Sequence, residues 1–144
     1  MATTKPLTLA LSDGYVCVET SSPLANGVII PFGTPAVYDS AAGRVKPATQ
    51  ALLVAGYPLL GIALDTWDNT NNQYSSAGPR QLYARNCQWI PPNNNNSGGA
   101  LVTYVGQQAT IADNNTVTSG GGVGDQNFRC DGLPAEGGVV IWIP

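Results

Sequence analysis

Any catalysis or metal binding in this chain has to rest on carboxylates. Histidine is absent from its 144 residues, which removes the commonest general base, the commonest metal ligand and every Ser–His or Cys–His nucleophile pair. No Gly-x-x-x-x-Gly-Lys-Ser/Thr phosphate loop and no Gly-x-Ser-x-Gly elbow occurs. What remains is Asp65-Thr66-Trp67-Asp68-Asn69. Two acids three residues apart could flank a glycosidic bond, with Trp67 stacked on the sugar ring. The oxygens of Asp65, Asp68 and Asn69 are also hard donors of the kind Ca²⁺ takes. The plainer reading has Asp and Asn opening a turn by bonding their own backbone, with Trp67 packed beneath it. The expectation is therefore no catalytic residue, no cofactor and no enzyme, with Asp65, Asp68 and Asn69 as a calcium candidate at most.

Other signals are weaker. Gly120-Gly121-Gly122-Val123-Gly124-Asp125 matches neither the dinucleotide fingerprint nor a calcium-binding nonapeptide, and reads as a loop. Asn95-Asn96-Ser97 and Asn114-Asn115-Thr116 match the glycosylation sequon without a secretion signal, and read as incidental. Cys17, Cys87 and Cys130 are odd in number and widely spaced. They fit neither a disulfide framework nor a metal clip and are expected as buried free thiols.

The element that would position Asp65 is Leu59–Leu64, an unbroken aliphatic run after Pro58. It is too short for a typical helix and suits a strand covered on both faces. Gly61 inside it signals a bulge or the close approach of another backbone or ring. Before it, Leu7, Leu9 and Leu11 alternate as a half-buried strand, Asp13-Gly14 is a tight-turn dipeptide and Tyr15–Val18 resumes as a strand. Val28–Ile30 is a short strand, and Ala36–Pro47 a hairpin with a Gly-containing loop. Ala48–Ala55 is helix or strand, which periodicity does not separate.

After it, Asp68–Pro79 reads as a long polar loop. Gln81–Arg85 and Cys87–Ile90 are strands interrupted at Asn86, and Asn93–Gly99 is a loop. Ala100–Val105 reads as a strand that Gln107–Ile111 continues beyond a bulge at Gly106. Asn114-Asn115 is a turn, Val117 a short strand at most, and Val139–Ile143 a closing strand buried on both sides. No window carries a sustained helical stripe with caps. The fold class expected is all-β, a single-domain antiparallel sandwich, jelly-roll-like or small barrel. Residues 1–11 form an N-terminal arm or edge strand, and residues 12–144 one β domain with long polar loops.

Charged residues make up 10% of the chain, for a net charge of −3, against about 25% in an ordinary soluble domain. A monomer normally keeps itself soluble with a charged surface, so this one is expected to be coated with Asn, Gln, Ser, Thr and Gly or covered by partners. The cations form no cluster, which excludes the footprint of nucleic-acid binding. No apolar stretch reaches the ~20 residues a membrane helix needs. Met1–Ala10 lacks the charged start and apolar core of a signal peptide, so the expectation is a soluble chain made in a cytoplasm.

The order of features carries a resemblance. Val37-Tyr38-Asp39-Ser40-Ala41-Ala42-Gly43-Arg44-Val45-Lys46-Pro47-Ala48 is followed by Pro58-Leu59-Leu60-Gly61-Ile62-Ala63-Leu64, and Gly138-Val139-Val140-Ile141-Trp142-Ile143 closes the chain. This layout resembles the capsid decoration, or cement, proteins of tailed bacteriophages over roughly residues 12–67 and 137–143. The Asn-rich segment Asp68–Asn96 departs from the compact pattern as an insertion. The resemblance implies a small β-sandwich or barrel on the outer surface of an icosahedral head. It implies the major capsid protein as partner, and the protein itself as a homodimer or homotrimer. It also implies assembly in the bacterial cytoplasm. The contact residues it suggests are Thr3, Thr4, Lys5, Pro6, Leu7 and Leu9, as an arm adding a strand to a neighbour, then Trp67, Asn69, Tyr74 and Asn94 on the polar loops. A second expectation is a carbohydrate-binding module or head-fibre adhesin, with Trp67, Trp89, Tyr74 and Tyr83 as stacking platforms.

Overall fold

The computed structural model describes residues 3–4, 6–7, 9–10, 14–94, 101–120, 128–135 and 137–144, with residues 9 and 10 described by their backbone alone. In chain order the elements are β1 (Leu9–Ala10), β2 (Val16–Thr20), β3 (Ile29–Ile30), β4 (Pro35–Asp39), β5 (Arg44–Pro47), α1 (Gln50–Val54), β6 (Leu59–Ala63) and β7 (Trp67–Asp68). They continue as β8 (Gln81–Arg85), β9 (Cys87–Trp89), β10 (Asn93–Asn94), β11 (Gln108–Asp113), β12 (Thr116–Ser119), β13 (Phe128–Gly132) and β14 (Val140–Ile143). A seven-stranded sheet runs β1-β9-β14-β13-β11-β12-β10, a five-stranded sheet runs β2-β8-β6-β4-β5, and β3-β7 is a separate ribbon. Every strand pairing is antiparallel except β10 with β12. This is an all-β, sandwich-like domain without barrel closure.

Two cores explain the sequence pattern. The first lies between the sheets and takes Val37, Leu59, Ile62 and Ala84 from one, Trp89, Ile111, Val117, Phe128, Ile141 and Ile143 from the other, and Leu53 from α1. The second lies on the far face of the five-stranded sheet and gathers Leu24, Ile30, Ala36, Val45, Ala63, Trp67 and Tyr83. That sheet is therefore covered twice, which is why β6 is apolar throughout. Leu59 and Ile62 face the first core, Leu60 and Ala63 the second. Leu59 and Ile62 share a face with two residues between them, where a regular strand has one or three, so an irregularity is required, and the register with β4 slips there. Gly61 has φ 136°, and a Cβ built on it would strike the carbonyl oxygen of Ala84 on β8.

One side of the sandwich is a bent double strand. β8 passes from the five-stranded sheet into β9 of the other through Asn86, at φ 55°. β1 and β2 run beside them and make the same passage, with Gly14 at φ 85°. The two corners are joined, Asn86 Nδ2 donating to Gly14 O at 3.1 Å. β1 and β2 pair with β9 and β8 and not with each other; Asp13 of the tight-turn dipeptide lies outside the described residues. A left-handed glycine serves a sheet-switching corner as well as a tight turn, so the dipeptide alone does not choose.

Three further expectations change. Ala48–Ala55 resolves as α1, capped by Thr49 Oγ1 accepting from Leu52 N at 3.2 Å. The strand expected at Ala100–Val105 is a loop over its described part, residues 101–105. There the Asn94 side-chain amide satisfies both backbone groups of Val102, at 2.8 and 3.0 Å. Gln107 Oε1 takes Thr103 N at 2.6 Å and Tyr104 N at 3.3 Å. Side chains thus replace the ladder, and Gly106 at φ 89° sits where a type II turn needs it. Val140–Ile143 is buried on one face only. Ile141 and Ile143 are fully buried, while Val140 and Trp142 are half-buried on the other side.

Candidate functional site

The strand β6 delivers Asp65 and Asp68 to the surface, where both are exposed. Asp65 Oδ1 accepts from Thr66 N at 2.7 Å, and Asp68 Oδ1 from Thr70 N at 2.9 Å and Thr70 Oγ1 at 2.7 Å. The Asp68 contact to Thr70 N is an Asx turn. The Thr70 hydrogen bonds hold the Asp68 carboxyl below the usual carboxylate range, whereas a glycosidase acid needs a raised one. Both carboxylates are exposed and bonded to groups one or two residues further on.

Asn69 is not a calcium donor, because its side chain is fully buried and fully used. Its Nδ2 donates to Leu24 O, Ala25 O and Ser75 Oγ at 3.3, 2.8 and 3.1 Å. Its Oδ1 accepts from Tyr74 N at 2.7 Å. Among the described residues no group of three or more Cys, Asp or Glu is placed to hold a metal.

The same geometry corrects the contact residues suggested for the loops. Trp67 is 8% exposed, with its ring tilted against Tyr83 at 5.2 Å between centroids. Tyr83 and Trp89 are fully buried. Apolar rings belong inside when two cores are available to take them, so three of the four stacking platforms of a glycan-binding reading, Trp67, Tyr83 and Trp89, are buried. Burial raises the Tyr83 phenol far above its ordinary range, and its hydroxyl donates to Gln81 Oε1 at 2.7 Å. Asn94 is committed to Val102. Asn94 and Tyr74 are both half-buried, the Tyr74 ring packed on the second core.

The arm is docked on its own chain. Thr3 exchanges two hydrogen bonds with the Asn114 side chain, at 2.9 and 3.0 Å, and Leu7 N donates to Phe32 O at 2.8 Å. Leu9 pairs with Trp89. Thr4 and Pro6 are exposed, Leu7 is half-buried, and Lys5 lies outside the described residues. The described arm residues thus make these contacts within their own chain, and β1 is an edge strand of its sheet. Asn114 is 1% exposed, which agrees with an incidental sequon; the other sequon, residues 95–97, lies outside the described residues.

Charge is spent locally. Lys46 bonds Asp39 at 2.6 Å and Arg80 bonds Glu19 at 2.7 Å. Arg85 donates to the carbonyls of Pro144 and Leu59, Arg44 to Asn26, and Arg129 to Gly106 O. Lys46 and the Ala42 and Ala41 amides hold the Asp39 carboxyl below its ordinary range. A cavity of about 110 Å³ opens beside Arg85, lined by Leu53, Tyr57, Leu59 and Phe128. Ligand pockets for drug-sized molecules run from about 300 Å³ upward, so this one admits a single small group.

The cysteines divide. Cys87 and Cys130 are buried and Cys17 is exposed on β2, against the expectation of three buried thiols. β2 lies at a sheet edge, so only one of its faces packs. Burial pushes the Cys87 thiol up to about 11 and raises Cys130 as well. One equivalent of an alkylating reagent should react quickly in the native protein at Cys17, and the other two only on unfolding. Mass spectrometry after a short pulse reads this; rapid labelling of Cys87 would contradict the packing.

What sequence reading missed is an apolar projection. Tyr104 and Val105 are 60% and 62% exposed at the tip of the turn that Gln107 locks. Gly106 N binds Cys130 O at 2.8 Å, and the half-exposed Trp142 lies two strands away. The available signal was Gly106 with a Gln beside it, a turn in place of a strand. No family model, curated protein or solved structure matches the chain.

Proposed function

We propose that this protein decorates the outside of an icosahedral phage capsid and cements neighbouring major capsid protein subunits. The observation that carries the reading is the surface. Charge is scarce and, among the described residues, bonded mostly to neighbours on the same chain, while large apolar side chains stand on a loop held by its own hydrogen bonds. Interface centres are poor in charge and rich in aromatic anchors, and a locked loop loses little conformational freedom on binding. The hairpin and strand that carry the resemblance are neighbours, β5-β4-β6 in one sheet, which is consistent with it. In this role the protein carries no chemistry. It binds the expanded shell better than its precursor or free subunits, so each bound copy stabilises the assembled state, and symmetry multiplies modest contacts.

Purified protein mixed with expanded, undecorated heads should bind to a saturating number set by icosahedral symmetry. It should also raise the temperature at which heads release DNA. Tyr104→Ala combined with Val105→Ser should weaken binding about tenfold or more while leaving the circular dichroism unchanged, because both side chains lie outside the cores. Folded wild-type protein that fails to bind heads would overturn the reading.

A further inference from the structure

The five-stranded sheet treats its two edges differently. Residues 23–25 close the edge at β5: Val45 N donates to Pro23 O at 2.8 Å, Ala25 N donates to Val45 O at 3.0 Å, and Pro47 ends the strand. The edge at β2 has no such cover. β2 pairs with β8 alone, in unbroken register from Val16 opposite Arg85 to Thr20 opposite Gln81. Among the described residues no main-chain group bonds to it from the other side. Tyr15, Val16, Cys17 and Glu19 are all exposed. Proteins blunt a bare edge with proline, lysine, a bulge or a covering segment. β2 carries none of these, and its one charge, Glu19, is neutralised by two bonds from Arg80, at 2.7 and 3.3 Å.

We propose that the outer edge of β2 takes an added strand from an extended segment of the major capsid protein. A row of main-chain donors and acceptors is complemented by another extended chain. Val18 packs against the second core, so Val16 and Thr20 share its face, and Cys17 and Glu19 lie on the opposite one. The segment that fits carries apolar, β-branched residues at alternate positions, beside Val16 and Val18. It needs no cation, because Arg80 already holds Glu19. This contact rests on the capsid reading and gives it a second anchor. Cementing requires a hold on two neighbouring subunits, and the Tyr104–Val105 turn provides one. That turn is tied to β13 of the seven-stranded sheet, through Gly106 N to Cys130 O, whereas β2 ends the five-stranded sheet. The two anchors therefore belong to different sheets. Strand addition draws its affinity from main-chain bonds, which suits a chain this poor in charge.

Cys17, exposed on the same strand, lets wild-type protein report on the contact. Iodoacetamide should label it about tenfold more slowly, or slower still, on expanded heads than in the free chain. Hydrogen exchange should show about two or three amides of residues 16–20 gaining protection on heads, since alternate residues face the open edge. Val16→Lys puts a charge on that edge and should weaken head binding about tenfold or more. Val54→Lys, at an equally exposed site on α1, should leave binding unchanged. Circular dichroism confirms that both variants fold. Bound protein whose Cys17 is alkylated as fast as in the free chain would overturn the proposal, and so would a Val16→Lys variant that binds like wild type; either leaves capsid binding itself standing. Wild-type protein that does not bind heads removes the capsid reading and this contact together. Protection of Cys17 that grows with the concentration of the free chain would assign the edge to a second copy and overturn the proposal as well.

Discussion

Gly61→Ala is expected to cost about 3–5 kcal/mol of folding stability, a large share of the roughly 5–15 kcal/mol a domain has. Two costs add. Gly61 holds φ 136°, a backbone region that alanine occupies only with about 1–3 kcal/mol of strain. Its new Cβ would also meet the Ala84 carbonyl oxygen, with the Arg85 Cγ at 3.1 Å behind it. That carbonyl belongs to β8 in the middle of the sheet and cannot swing aside without breaking the ladder between β6 and β8, which adds overpacking of about 1–3 kcal/mol. Gly14→Ala is the control. It is also left-handed, at φ 85°, but has nothing within 4 Å, so only about 1 kcal/mol is expected. Urea denaturation followed by tryptophan fluorescence measures both, and a Gly61→Ala midpoint no lower than that of Gly14→Ala would refute the crowding.

Asn69→Ala is expected to cost about 3 kcal/mol. The side chain ties the loop after β7 to the segment before β3. Its removal takes the Asn69 partner from Leu24 O and Tyr74 N and leaves Ala25 O only the bond from Val28 N at 3.4 Å; an orphaned buried polar group costs about 1–3 kcal/mol and partial relaxation recovers some of the sum. Asn69→Asp should be worse at neutral pH, since a buried carboxylate would face two carbonyl oxygens. The neighbouring Asp68→Ala loses one exposed Asx turn and should change stability by about 0.5 kcal/mol or less. Hydrogen exchange should show the Asn69 variants opening residues 24–30 and 67–75 first. Equal effects at Asn69 and Asp68 would mean that burial is not the cause.

The pair Asp68 and Asn69 shows where a linear reading stops. Both are small polar residues after a tryptophan, equally suited on paper to calcium, to catalysis or to a turn. Their roles separate only because residues 24–25, more than forty positions away, bring two carbonyls to Asn69 and nothing to Asp68. Asn94 and Gln107 repeat the lesson: each stands in for a neighbouring strand, so a β-branched, aromatic segment that reads as a strand stays a loop. Tyr104 and Val105 become a projection for that reason. The arm at residues 3–10 was legible as a strand by alternation, but its partner, β9, lies some eighty residues on, and nothing local says whether a strand is satisfied in cis or in trans.

Local chemistry determined a good deal here: a β fold of short strands, the Asp39–Gly43 hairpin turn, the break at Asn86, and a doubly covered β6 with an irregular Gly61. Each of these follows from side-chain period, backbone allowance or the types of residue within a few positions. The absence of histidine likewise bounded the chemistry before any fold was known. Tertiary structure alone decided that β1 and β2 belong to different sheets and that three aromatic rings offered as platforms lie inside. Those outcomes depend on which strands meet across the chain. Pairing at that range is set by the joint burial of many residues rather than by any segment's own preference.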